Sequence, residues 1–282
     1  MTQLLADLNN FPDGYKLIWL VACLAFCWIL ESLTPLFQLR YQRIKHNGIN
    51  FVFLFTTILT KGLLALVTIP IFIWVNSQQF GLLNSLAWPV WLELLIAFLM
   101  LDLFVQYGIH YVLHHVSWMW RFHTVHHSDT HVDASTGTRH HPGDMALREV
   151  ALMVAVLLFG IPLEYYVFYQ LVTTFFAYFT HANLRLPKQL DRILAYVLVT
   201  PDMHKFHHHF EAPWTDSNFG NVFSIWDRIF GTLVYEDVEI VQYGLDVVDS
   251  EQYQNLAYQY ILPFTAAVSR TNSAKAAQAV DS

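Results

Sequence analysis

Fourteen of the chain's fifteen histidines fall between His110 and His209. Their spacing says more than their number. His110 and His114 stand four apart, His123, His126 and His127 form a His-x-x-His-His run, and His204, His207 and His208 form a second. Side chains three and four apart on a helix share a face, so each group can converge on one point. Eight imidazoles in three groups are too many for one ion. Without metal, each buried ring would have to find its own hydrogen-bond partners, so the pattern points to a metal centre. Imidazole suits iron, zinc, copper and nickel, and ligand type alone does not choose among them. The two cysteines, Cys23 and Cys27, lie four apart in an apolar run, where packing is their expected role. The Glu and Glu-x-x-His pattern of carboxylate-rich di-iron bundles is absent. A hydrolytic two-zinc site is the chemical rival, although its usual polar, solvent-facing scaffold with mixed Asp and His ligands is not obvious here.

The elements that must carry these residues are membrane elements. The chain has 282 residues, 55% of them hydrophobic and 13% charged, which is too apolar for an ordinary soluble domain. A net charge of -7 leaves no basic face for nucleic acid. Apolar stretches cover residues 17–37, 51–75, 88–116, 145–163 and 165–180. The first three exceed the roughly 20 residues of a spanning helix. The last two, parted by Gly160-Ile161-Pro162, are expected to form a hairpin of short or tilted helices. No Lys or Arg precedes Lys16, so the first stretch is expected to remain as an anchor and not to be removed as a secretory signal. Arg40, Arg43 and Lys45 follow the first span, Arg121 and Arg139 the third, and Arg185, Lys188, Arg192, Lys205 and Arg228 the hairpin. That bias puts the N-terminus outside and residues 117–144 and 181–282 on the cytoplasmic face, all three histidine groups together. Trp88, Trp91, Trp118 and Trp120 read as interfacial anchors. The tail from Thr265 is expected to be disordered.

The motifs His110-Tyr-Val-Leu-His114, His123-Thr-Val-His126-His127, His204-Lys-Phe-His207-His208 and the segment from Asn218 to Thr232 together resemble the fatty acid hydroxylase superfamily, also called the sterol desaturase family. The resemblance covers about Asp102 to Thr232. It implies an all-α integral membrane fold: a bundle of about three transmembrane helices plus a helical hairpin, with a cytoplasmic helical cap carrying a histidine-rich di-metal site. It implies two non-haem iron ions, O2 as co-substrate, and a lipid substrate drawn from the bilayer, a sterol, sphingolipid, fatty acyl chain or ether lipid, to be hydroxylated or desaturated. It further implies a separate electron-transfer protein, cytochrome b5-like or ferredoxin-like; no flavin, nucleotide or haem-attachment fingerprint occurs in the chain itself. Carried over residue by residue, the ligands and catalytic residues are His110, His114, His123, His126, His127, His204, His207 and His208, with His181 a ninth metal ligand. The sequence departs from the family at Tyr111, where Arg is usual, and at Arg139-His-His-Pro-Gly-Asp144, where His-Pro-x-Glu is usual.

Residues 1–264 are thus expected to be one membrane-embedded domain, multi-pass, in a bacterial inner membrane or the endoplasmic reticulum. His140 and His141 are candidates to line the site or face substrate; His115, His131 and His209 read as surface histidines and His46 as merely polar. Asp129, Asp133, Asp202 and Asn183 are candidate acceptors for the ligands' second ring nitrogens. Asp102 and Gln106, two turns and one turn before His110, should point into the bundle, and Lys61 should pair with Asp102 or Glu93 there. An apolar cavity beneath the irons is expected between the third and fifth spans, walled by Tyr107, Tyr178 and Phe175. Trp226 to Gly231 should act as packing and turn structure closing the cap. Two rivals remain, a histidine-rich metal-binding or transport protein without oxygenase activity and a bis-histidine haem carrier.

Overall fold

The computed structural model of the chain describes residues 13–39, 41–85, 88–211, 214–236, 238, 241–245 and 248–265. All but Thr265 of the expected disordered tail lies outside the described residues. Helices make up the fold, and among the described residues the only β pairing is three isolated bridges. Among the described residues, three helices are long and apolar enough to cross a bilayer: α1 (Asp13–Leu33), α2 (Arg43–Gln78) and α3 (Val90–His115). Each shows lipid an apolar surface, with Leu63, Leu66 and Ile73 of α2 among the most exposed. A backbone surrounded by hydrocarbon must satisfy its own polar groups, which leaves helix as the stable choice for these runs.

Two further helices, α5 (Pro142–Phe159) and α6 (Leu163–His181), form the expected hairpin. Its turn is made by Gly160 at φ 68°, pressed so closely on the chain at Phe80 and Gly81 that a Cβ would lie 2.4 Å from the Phe80 carbonyl oxygen. Phe72, Leu101, Val105, Leu152, Val156 and Tyr169 knit α2, α3, α5 and α6 into one buried core. The remaining helices are short: α4 (Ser117–His127), α7 (Lys188–Leu194), α8 (Pro201–His207), α9 (Ile225–Phe230), whose Trp226 bonds to Asp102 part-way along α3, and α10 (Leu256–Ile261).

α3 is not uniformly α-helical. Residues Asp102–Gly108 form a π-helical segment, a wider turn that re-registers everything after it. Asp102 stands at its start. Its buried carboxylate accepts from the Tyr169 hydroxyl (3.0 Å), the Trp226 indole N–H (2.9 Å) and the Phe223 backbone N–H (3.2 Å). Lys61 pairs with neither expected partner: its Nζ lies 3.6 Å from Glu149 of α5 and 3.4 Å from the Gln170 side chain of α6, while Glu93 accepts from the Tyr165 hydroxyl. The sequence does not show which helices neighbour α2, and it is α5 and α6 that do.

His46 also departs from expectation. α2 is long enough for its first turns to rise into the cap, where His46 is fully buried and Nε2 lies 2.9 Å from both Asp129 oxygens. Asn50, one turn on, donates to Ser135 and accepts from the buried Arg139 guanidinium. Trp120 is not an interfacial anchor but is buried against the rings of His114 (4.7 Å) and His127 (5.4 Å), whereas Trp91 and Trp118 are exposed.

Candidate metal centre

All nine histidines singled out from the sequence meet at the end of the bundle where α3, α4, α6 and α8 converge. They form two groups. His110, His114, His123, His127 and His207 each offer a ring nitrogen within 4.8 Å of the others, and so do His126, His181, His204 and His208. All nine are buried.

The two His-x-x-His-His runs do not each converge on one point. On a helix, residues i and i+4 lie about 40° apart around the axis while i+3 and i+4 are about 100° apart. His123 and His127 accordingly serve the five-histidine group and His126 the other, whereas His204 and His208 serve the four-histidine group and His207 the first. Each run gives its i, i+4 pair to one group and its i+3 ring to the other, so α4 and α8 tie the two groups together.

Hydrogen bonds on the outer nitrogens fix which way the inner ones face. Nδ1 of His110 donates to the Phe219 carbonyl (2.9 Å), Nδ1 of His207 to the Ser217 carbonyl (2.7 Å) and Nδ1 of His181 to the Ala177 carbonyl (2.6 Å). Nδ1 of His123 lies 2.9 Å from Asp144 and Nδ1 of His114 lies 3.1 Å from Asp216. With the proton on Nδ1, Nε2 of each neutral ring carries a bare lone pair. Yet Nε2 of His110 faces Nε2 of His123 at 3.0 Å, and Nε2 of His181 sits 2.9 Å from that of His204 and 3.1 Å from that of His126. The His110–His123 contact sets lone pair against lone pair, and the two rings of His127 and His208 find no hydrogen-bond partner for either nitrogen. Burying such groups unpaired costs about 1–3 kcal/mol each. A cation held among the nitrogens removes the conflict in both groups. The residues present therefore fit metal ions.

Electrostatics agree. Burial holds His126, His127, His204 and His208 well below the ordinary histidine range, with neighbouring imidazoles adding to the effect. Burial also lowers His207 to about 3, and His123 to about 4 despite the Asp144 carboxylate beside it. Neutral imidazole is the form that ligates.

Of the expected acceptors, Asp129 and Asp133 serve His46, and Asn183 accepts from the Phe37 N–H and donates to the Phe37 carbonyl. Asp144 and Asp216 stand in their place. Asp144 also accepts from His140 Nδ1 (3.0 Å) and Arg148 Nε (2.9 Å), and His140 stacks 4.6 Å from His126. His141 caps α5 by accepting from Gly143 N–H. His115 is exposed and stacks on Tyr111; His131 is half-buried between Tyr41 and Tyr253; His209 is buried against Trp214. Asp216, fourteen residues before Phe230 in a short polar turn, carried no spacing signal.

A cavity of about 470 Å³ opens from the histidines into the bundle, reaching His110, His126, His181 and His204. The third and fifth spans line it as expected, through Val105 and Gln106 and through Tyr166 to Tyr178, but α1, α2 and α5 contribute as much, with Leu20, Ile58, Met145 and Leu152 among the apolar walls. Tyr178 is a wall residue. Tyr107 and Phe175 are not: Tyr107 stacks on Phe230, and Phe175 packs on Phe26 and Phe179.

The sequence profile of the family described as fatty acid hydroxylase matches residues 94–232, the stretch that holds all nine histidines. The chain belongs to the fatty acid hydroxylase superfamily. Among relatives, it is 30% identical over 180 residues to alkylglycerol monooxygenase of Danio rerio and 31% identical over 180 residues to that of Homo sapiens, each alignment covering 62% of this chain and 37% of the relative. It is 25% identical over 235 residues to the ornithine lipid hydroxylase OlsE of Rhizobium tropici, covering 79% of this chain and 69% of the relative. The chain thus spans little more than a third of the length of its alkylglycerol monooxygenase relatives. No solved structure matches it. Like the fatty acid hydroxylase fold expected from the motifs, the structure is all-helical, with three membrane-capable helices and clustered histidines.

Proposed function

We propose that this member of the fatty acid hydroxylase superfamily is an O2-dependent oxidoreductase that holds two non-haem irons in the five- and four-histidine groups and hydroxylates a lipid. The observation that carries the proposal is the pair of inward-facing imidazole groups at the head of an apolar cavity that lies within the membrane bundle. Bound iron supplies O2 activation and C–H oxidation. Every other task falls to the chain. His110, His114, His123, His127 and His207 hold one ion, and His126, His181, His204 and His208 the other, with Phe219, Ser217, Ala177, Asp144 and Asp216 setting ring orientation from behind. Leu20, Ile58, Met145 and Leu152 receive an alkyl chain directly from the bilayer, so it need not cross water. Burial of the histidines keeps water from the oxidising centre.

Hydroxylation is favoured over desaturation because the relatives are named as a monooxygenase and a hydroxylase. The Lys and Arg bias supports a cytoplasmic active site, and the absence of any redox-cofactor fingerprint supports a separate electron carrier. A cation path through the bilayer, which a transporter needs, is less well supported, since all nine histidines gather at one end. The test is lipid extraction from cells expressing the chain or its His127→Ala variant under labelled O2, with iron counted per purified chain. Two irons per chain and label in a lipid hydroxyl that His127→Ala lacks are expected. An intact protein with two irons that labels no lipid overturns the catalytic assignment; one that binds no iron overturns the metal assignment.

A further inference from the structure

The segment 184–232 follows the hairpin and, by charge, belongs to the water-exposed cap, yet it packs far down the side of a membrane span. Trp226 and the Phe223 backbone bond to Asp102 of α3, Phe223 packs on Phe98 (5.7 Å), and Phe230 stacks on Tyr107 (5.3 Å). Asp102 lies thirteen residues before His115, the end of that span, somewhat less than the roughly 20 Å of a continuous α-helix because Asp102–Gly108 is π-helical. Even if the last two turns of α3 stand clear of the hydrocarbon, Asp102 remains several ångströms inside it.

At this depth the segment turns large apolar side chains outward. Ile193 and Tyr196 are each 67% exposed, Ile229 66%, and Val197 and Phe230 just over half. They form one surface, because the two strips of chain are joined side by side: Ser224 N–H donates to the Val197 carbonyl (3.0 Å), Val199 N–H to the Val222 carbonyl (2.9 Å), and the Ser224 hydroxyl and Arg228 both donate to the Ala195 carbonyl. Phe230 joins this surface to the membrane span α3 by stacking on Tyr107, one turn from the exposed Phe104. Arg185, Lys188 and Arg192 are exposed on the same stretch of chain, and Arg228 folds its guanidinium over the Tyr196 ring (5.1 Å).

We propose that α7 and α9 are a monotopic anchor: the face of Ile193, Tyr196, Val197, Ile229 and Phe230 is immersed in the leaflet on the histidine side, with Lys188 and Arg192 reaching the lipid phosphates. An exposed apolar face flanked by basic residues is the pattern of an element lying in the membrane interface, and long basic side chains bury their stems while keeping their charge at the headgroups. The junction with the membrane span α3 selects lipid as the occupant over a second protein. The proposal stands whether or not the chain binds iron or oxidises lipid.

The test places a nitroxide at Ile193→Cys or Ile229→Cys in the full chain reconstituted in phosphatidylcholine and phosphatidylglycerol vesicles, with Leu66→Cys on α2 as the lipid reference and Glu251→Cys as the water reference. The buried Cys23 and Cys27 are checked for labelling in the unsubstituted chain. Relaxation by O2, which concentrates in hydrocarbon, is compared with relaxation by a water-soluble nickel chelate, and helicity is followed by circular dichroism. Both positions are expected to behave as Leu66 does, with O2 dominating. Dominance by the nickel chelate, as at Glu251, overturns the proposal by showing a water-facing surface. Shielding from both quenchers overturns it by showing that protein, such as a second copy, covers the face.

Discussion

Asp144→Asn tests the claim that the imidazoles are held ready for metal from behind. The Asp144 carboxylate is fully buried, and its Oδ2 accepts from Nδ1 of His123 and of His140 while Oδ1 accepts from Arg148 Nε. An asparagine has one acceptor oxygen. If it faces the histidines, its amide N–H groups confront the Arg148 donor; if it faces Arg148, they confront Nδ1 of His123 and force that ring's proton toward the metal side. Loss of such a carboxylate behind a ligand costs about 10–100-fold in metal affinity, or about 1.4–2.7 kcal/mol. The loss should fall on the five-histidine group, which contains His123, and largely spare the four-histidine group, which Asp144 reaches through His140 stacked on His126 and not through a bond to a ligand ring. Anaerobic titration of purified protein with ferrous iron against a chelator resolves one weakened and one unchanged site, and Asp144→Glu should recover part of the affinity. Because freeing Arg148 also costs stability, melting of the metal-free protein is measured in parallel. Unchanged affinity at both sites in a well-folded variant refutes the reasoning, as does equal loss at both.

The crosswise division of the histidine runs predicts that His126→Ala weakens the four-histidine site while His123→Ala weakens the five-histidine site, although both residues lie in one motif; the same iron titration distinguishes them. Gly137→Ala should act like a ligand change without touching a ligand, because its Cβ would lie 2.3 Å from the Ala177 carbonyl oxygen and 3.3 Å from His181 Nδ1; loss of iron from the four-histidine site alone, seen by metal analysis, is expected. Asp102→Ala strands the Tyr169, Trp226 and Phe223 donors, and at about 1–3 kcal/mol for each buried unsatisfied group it should lower the melting temperature in detergent far more than Glu93→Ala, which strands Tyr165 alone. Removing metal with a chelator should lower the melting temperature of the intact protein and leave that of the His127→Ala, His208→Ala double variant almost unmoved, since ligand bound only by the native state stabilises it.

What was legible in the sequence was whatever repeats along one helix. Spacings of three and four marked each grouped histidine on α3, α4 and α8, because the period of the α-helix writes itself into the order of residues. Apolar runs marked the spans for the same kind of reason, and the Gly160 break marked the hairpin. His181 has no such partner on α6; only resemblance pointed to it, and its place in the four-histidine group depends on where α6 ends against α8. The partners behind the rings were not legible at all. Asp216, Phe219 and Ser217 reach the ligands across about a hundred residues or through backbone carbonyls that any residue type would offer. The π-helical turn in α3 leaves no mark in composition, yet Asp102 at its start bonds to Trp226 and not to the grouped histidines.

The division of each His-x-x-His-His run follows from the same helical period that revealed it. Three rings at i, i+3 and i+4 span about 100° of arc, too wide for all three to reach one small ion and about right for two ions side by side. Two such helices facing each other, each giving a pair to one site and a single ring to the other, make five and four nitrogens once α3 and α6 add theirs. A mononuclear centre in the five-histidine group would leave His126, His204 and His208 buried with lone pairs aimed at nothing, and one in the four-histidine group would do the same to His123, His127 and His207. The motif is thus a two-site motif on geometric grounds before any metal is named. The test that matters for it is whether His126→Ala and His207→Ala damage different sites: damage to the same site would show that the rings rearrange around one ion and that the helical period does not divide them.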